Sequence, residues 1–170
     1  MQTRTPPKEA PASGARVPYA LTPTLTDCLP VQLDAFVVED NQEIQESLAG
    51  ALEELTCVKV VGSAATEEGA LEWVAAQKDW DILIVDLFLA GGSGMRLVQH
   101  VQRARPGQKI IVFSNYVNAS VRKRCAQLGV DAVFDKSTEI DALVDYCSHQ
   151  CSLLGVHAAL APLHPTGDSP

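Results

Sequence analysis

The chain has 170 residues, 46% of them apolar, with a formal net charge of −8 and a sequence pI near 4.9. That length suits one ordinary domain with appendages, large enough to bury a core and fold unaided. The acidic balance argues against direct binding to nucleic acid or an anionic membrane, which demand clustered Lys and Arg, and no apolar stretch reaches the roughly 18 residues of a membrane span.

Residues 1–31 carry six of the ten prolines, scattered among Lys, Ser, Thr and Ala. Such a segment cannot offset its ordering entropy by burial and reads as a flexible leader. It also lacks the apolar core of a secretory signal, so a cytoplasmic location is expected. The first strand is expected near 34–40, ending in Glu39-Asp40, and is followed by an apolar helical stripe (Ile44, Leu48, Leu52, Leu55) that Asp40 or Asn41 can cap. A second strand near 58–64 leads to a helix opened by Thr66, with Glu67 and Glu68 favourably placed in its first turn. The most apolar run of the chain, near 81–89, contains Asp86; Leu97, Val98 and Val101 mark the helix after it. A fourth strand near 109–115 ends at Ser114, before a helix capped by Asn118, lined by Val121, Cys125 and Leu128, and stopped by Gly129. The fifth strand, 132–136, ends at Lys136. Ile140, Leu143, Val144, Cys147 and Cys151 then recur at helical spacing, and a frayed tail is expected over 155–170. Strands apolar on both faces alternating with helices imply an α/β fold with a doubly wound parallel sheet, and a main domain over 32–154.

Five cysteines (Cys28, Cys57, Cys125, Cys147, Cys151) show no C-x-x-C spacing. They read as buried small hydrophobes in a reducing compartment. Cys147 and Cys151 could be half of a zinc site, but His149 lies off their helix face.

The chemistry lies where the strands end. In an open parallel sheet the carboxyl ends of the strands line one edge, where ligands bind. Glu39, Asp40, Asp86, Ser114 and Lys136 would all meet there. Asp86 sits among apolar neighbours, costly for a carboxylate without compensation, and no helix starts directly after it for it to cap. A carboxylate can attack phosphorus to form an aspartyl phosphate. Mg²⁺ shared by Asp40, Asp86 and the phosphoryl group would relieve the carboxylate repulsion. Ser114 offers a hydroxyl and Lys136 a fixed positive charge to phosphoryl oxygens. The acidic, glycine-free first turn excludes a dinucleotide or flavin phosphate cradle.

Residues 33–152 resemble the receiver domain of bacterial two-component response regulators. Receivers carry an acidic pair after strand one, a phosphorylated Asp after strand three, Thr or Ser after strand four and Lys after strand five. Here these are Glu39-Asp40, Asp86, Ser114 and Lys136, separated by 46, 28 and 22 residues from Asp40 onward. Gly94 falls where receivers place a glycine before helix three. The resemblance implies a flavodoxin-like (βα)5 fold with strand order 2-1-3-4-5. It implies that Asp86 accepts a phosphoryl group from a sensor histidine kinase or phosphotransfer protein. Asp40, Asp86 and the Phe88 carbonyl would hold Mg²⁺, with Glu39 acting through water. A receiver promotes its own phosphorylation and dephosphorylation and is not a turnover enzyme.

The chain departs from the family pattern at three places. Ala90 stands where many receivers have Pro, Ser137 follows the Lys in place of a cis-Pro, and Val133 occupies the aromatic switch position while Phe134 faces the other side. Phe88 and Tyr116 flank the site, either as packing residues or, since in receivers these positions border the path of the hydrolytic water, as groups that would slow hydrolysis of the phosphorylated state. Only 34 residues follow Lys136, too few for a winged-helix output domain, so a stand-alone receiver acting on an unidentified downstream protein is expected. Helix four, strand five and helix five would form the docking face, with homodimerisation possible. Arg122, Lys123 and Arg124 lie near it, although a solvated helix face is the plainer reading of that patch. The competing readings are an unphosphorylated pseudo-receiver and a phosphatase of the haloacid dehalogenase type, which needs an Asp where Phe88 stands.

Overall fold

Over residues 32–160, which the computed structural model describes, five strands alternate with five helices. They are β1 (Leu33–Val38), α1 (Gln42–Leu55), β2 (Val58–Ala64), α2 (Glu67–Ala76) and β3 (Ile82–Val85), then α3 (Gly94–His100), β4 (Lys109–Ser114), α4 (Ala119–Gln127), β5 (Ala132–Asp135) and α5 (Ile140–Leu160). All strand pairs are parallel, in the order β2-β1-β3-β4-β5. This is the expected doubly wound sheet, with its order reversal between β1 and β3.

Alternation along the strands builds two cores. Ala35, Val37, Ile82, Ile84, Ile111 and Phe113 point to one face, where Leu48 and Leu52 of α1 and Leu143 and Cys147 of α5 cover them. Phe36, Val38, Leu83, Val85, Ile110 and Val112 point to the other, covered by α2, α3 and α4 through Ala70, Val74, Leu97 and Cys125. Each fully buried Leu, Ile or Val contributes about 1.5–3 kcal/mol. The central strands β1, β3 and β4 are thus apolar on both sides because both sides are roofed, while the edge strands β2 and β5 are only part-buried. Val133 packs toward the α2–α4 side and Phe134 toward α5, beside Tyr146, as strand alternation requires.

Side chains set the helix starts. Asn41, not Asp40, caps α1 by accepting the Glu43 and Ile44 N–H groups, which leaves the Asp40 carboxylate for other partners. Thr66 and Asn118 cap α2 and α4 as expected, and Ser93 caps α3. Gly129, at φ +76°, closes α4, with the Val130 N–H donating to the Cys125 carbonyl at 3.0 Å.

The structure corrects three expectations. Strand three stops at Val85, not 89, because Asp86 turns into a hydrogen-bonded cleft and Phe88 swings out to 59% exposure, while Leu87 and Leu89 reach the core from a loop. Helix α5 continues to Leu160, past the boundary drawn at 154; "GVHAAL" is rich in helix formers and no proline intervenes before Pro162. Cys57 and Cys151 are not free thiols. They form a disulfide that ties the start of β2 to α5 across 94 residues, with Cα atoms 5.9 Å apart, and this removes the zinc alternative for Cys151. Cys125 and Cys147 are free and buried, and burial pushes the Cys147 thiol up to about 12. The leader over 1–31 and the tail beyond 160 lie outside the described residues.

Candidate functional site

Sheet register brings the chemical residues to one edge. Val38 pairs with Val85, Val85 with Val112, and Ser114 with Asp135. The residues that follow β1, β3 and β5, together with the last residue of β4, therefore meet. Asp86 is the centre. Its Oδ1 accepts the Ser114 hydroxyl at 2.6 Å and the Phe88 N–H at 3.2 Å, and its Oδ2 accepts Lys136 Nζ at 2.7 Å. The ammonium group also donates to Glu39 Oε2, while Glu39 Oε1 accepts the Asn41 N–H at 3.2 Å. Ser114, Glu39, Asp86 and the Lys136 side chain are all buried. One ammonium thus compensates two buried carboxylates, and no buried side-chain polar atom lacks a partner among the described residues.

Gly94 sets how closely α3 approaches this centre. A β-carbon there would lie 1.9 Å from the Asp86 carbonyl oxygen, an impossible contact, and its N–H donates to the Leu87 carbonyl at 3.2 Å. A side chain at 94 would drive α3 off the backbone that carries Asp86.

Asp40 lies on the exposed rim. Glu39, Asp40 and Asp86 each present an oxygen within 4.8 Å of the others. Clustered carboxylate oxygens are the hard donors that Mg²⁺ prefers, and the single ammonium leaves the group net negative. The residues therefore fit a divalent cation. Asp40 Oδ2 accepts the Ala90 N–H at 2.8 Å, a bond that a proline at position 90 could not make. The cleft has a volume of about 200 Å³ and is lined by Glu39, Asp40, Asp86, Phe88, Tyr116 and Lys136. Phe88 and Tyr116 (75% exposed) meet edge to face with ring centroids 5.8 Å apart. They form an apolar wall at the mouth and are not core packing.

Every site residue read from the sequence is thus at this edge. A family model described as the response regulator receiver domain matches residues 35–148. The chain belongs to that family. Among curated proteins, this receiver is similar to the response regulator UvrY of Escherichia coli O6:H1, at 23% identity over 104 residues, which cover 61% of this chain and 47% of that one. It spans about half the length of the curated relatives it matches. Among solved structures it resembles a CheY-like receiver domain protein from Methanospirillum hungatei JF-1, with a TM-score of 0.63 and 20% identity over 74% of this chain and 98% of that one. A response regulator from Burkholderia pseudomallei, solved with a phosphorylated aspartic acid, calcium ion and citrate, gives 0.60 and 22% over 78% and 76%.

Two contributors to the receiver site, Glu67 and the Ala90 N–H, were not foreseen, nor was one ion pair outside it. Glu67, expected only to favour a helix dipole, is buried; it accepts the Ser93 N–H at 2.8 Å and pairs with Arg96 at 3.3 Å, pinning the loop between Asp86 and α3. The Ala90 N–H is a backbone group, invisible to a reading of side chains. Arg122, Lys123 and Arg124 are exposed, as the solvated-face reading expects, and Arg122 in addition pairs with Glu139 at 2.7 Å. An ion pair 17 positions apart needs the tertiary fold to be seen.

Proposed function

We propose that this receiver is a phosphorelay switch in which Asp86 accepts a phosphoryl group from a histidine kinase or phosphotransfer protein. The observation that carries the reading is the placement of Ser114 and Lys136 on opposite oxygens of one buried carboxylate. An Asp86 oxygen attacks phosphorus; the O–P bond forms as the P–N bond of a phosphohistidine, or the P–O bond of a small acyl phosphate, breaks. The donated nitrogen or carboxylate leaves with the bond's electron pair. The Ser114 hydroxyl and Lys136 ammonium then pass from the Asp86 oxygens to phosphoryl oxygens, where they stabilise the added charge. Asp40, Asp86 and the Phe88 carbonyl would hold Mg²⁺, with Glu39 behind them; the ion supplies neutralisation of developing phosphoryl charge. No turnover of a separate substrate is part of this reading, and Phe88 stands where a phosphatase would need its acid.

The downstream effect is a change in the α4–β5–α5 face, read by a second protein in the cytoplasm. Incubation with Mg²⁺ and acetyl phosphate is expected to give one acid-stable, base-labile phosphoryl adduct, absent in Asp86→Ala. A wild-type protein that takes up no phosphoryl group under these conditions would favour the pseudo-receiver, and steady hydrolysis of a phosphomonoester would favour the phosphatase.

A further inference from the structure

The turn that carries Lys136 is held by a chain of hydrogen bonds leading onto α4. Asp135 closes the turn on itself, accepting the Ser137 N–H at 2.9 Å and the Ser137 hydroxyl. Glu139, just before α5, accepts the Asp135 N–H at 2.7 Å, and its own N–H donates to the Asp135 carbonyl at 2.8 Å. The same Glu139 oxygen takes one arm of the Arg122 guanidinium at 2.7 Å, and the other arm donates to the Val133 carbonyl at 2.6 Å. β5 is an edge strand, and edge strands present carbonyls with no strand to receive them. Arg122 thus grips the chain three residues before Lys136 and three residues after it.

The turn has no proline, and no cis peptide bond occurs among the described residues. Besides this chain of hydrogen bonds it is held by the Lys136 N–H on the Ser114 carbonyl at 3.1 Å and the Thr138 N–H on the Asp135 carbonyl at 3.3 Å. The Glu139 carboxyl is held below the usual carboxylate range by the Asp135 N–H first and Arg122 second, so the link is charged at neutral pH. Meanwhile Lys136 must reach Glu39 and Asp86 with one ammonium group. A misplacement of about 1 Å in such a group can cost about a hundredfold in rate.

We propose that Arg122 is a positioning residue for Lys136: through Glu139 and the Val133 carbonyl it sets the turn that carries the ammonium group. This rests on the phosphoacceptor reading of Asp86. An exposed ion pair contributes little to stability, so variants that break the link retain the fold.

The test compares Arg122→Met and Glu139→Gln, singly and together, with Lys123→Met on the exposed side of the same helix. Each is made with Lys136 intact and in a Lys136→Ala background. Phosphorylation by acetyl phosphate with Mg²⁺ is followed by intact mass, and amide hydrogen exchange is read over residues 133–140. With Lys136 present, both link variants are expected to slow phosphorylation about tenfold, the pair no more than the slower single, and Lys123→Met not at all. Exchange in the turn quickens in both. In the Lys136→Ala background the link variants add no further loss, because their effect passes through the missing ammonium. A loss of the same size without Lys136, an unchanged rate, or unchanged exchange in the turn would overturn the proposal. Absence of any adduct on the wild-type chain would instead sink the phosphoacceptor reading, and the exchange experiment would still decide whether Arg122 holds the turn.

Discussion

Lys136 is the residue that pairs with both buried carboxylates of the cleft. Removing one partner of a buried ion pair costs about 3–5 kcal/mol, and here one ammonium serves Glu39 and Asp86 together. Lys136→Met is expected to lower stability toward urea by about 3 kcal/mol. Millimolar Mg²⁺ should restore more to this variant than to the wild type, because a cation bound only to the folded state stabilises it. An unchanged urea midpoint would mean that the buried charges are compensated elsewhere. Phe88 and Tyr116 raise a separate expectation. They are exposed rings at the cleft mouth; if they screen Asp86 from water, Phe88→Asn and Tyr116→Glu should shorten the life of the phosphorylated form. A wild-type lifetime of seconds that neither change alters would remove that role. At this scale the sequence was read well where a residue's type conflicts with its surroundings, as with Asp86 after Ile82–Val85. It was read poorly where a backbone group acts, as with the Ala90 N–H.

Between elements, Gly94 lets α3 lie directly against the Asp86 backbone. Gly94→Ala must displace a carbonyl oxygen that a β-carbon would meet at 1.9 Å. Overpacking typically costs about 1–3 kcal/mol and occasionally more; here the upper end is expected in urea unfolding, together with loss of phosphoryl uptake as Asp86 is pushed aside. A variant with wild-type stability and uptake would show that α3 yields freely. The Cys57–Cys151 bond ties β2 to α5. Closing a loop of this size is worth about 4–5 kcal/mol in the chain-entropy account, so dithiothreitol or Cys57→Ser should lower the urea midpoint, and a thiol titration of the unreduced protein should find these two unreactive. If both react, the bond is absent in solution and the reduced reading of all five cysteines stands. Element order and the two buried faces of β1, β3 and β4 were legible because 3.6-residue and two-residue periodicities report burial directly, and the caps Thr66 and Asn118 because their side chains can accept a helix N–H. The disulfide was not, since partners 94 residues apart leave no local pattern.

For the whole molecule, Asp131 at the far end of the sheet is expected to contribute to the loss of stability in acid. Burial tends to raise Asp131, but the Ile110 N–H, Arg103 and Lys109 together outweigh it and hold the carboxyl below its usual range. A group whose folded-state pKa is depressed contributes stability above its unfolded pKa and loses it as pH falls through the folded value. Asp131→Asn should therefore flatten the acid side of the stability–pH curve, below the ordinary carboxylate range, and leave phosphorylation intact because Asp131 lies before β5, away from the cleft. Identical curves for the two proteins would assign the loss in acid to other carboxylates. The parallel order β2-β1-β3-β4-β5 is what turns five scattered polar residues into one cleft, and the account as a whole requires Asp86 to be the acceptor in it. Reduction with borohydride after exposure to acetyl phosphate converts an acyl phosphate to an alcohol that peptide mass spectrometry can locate. The expected result is a single modified position, residue 86, formed only when both the phosphodonor and Mg²⁺ are present; modification at another carboxylate, or none, would contradict the account.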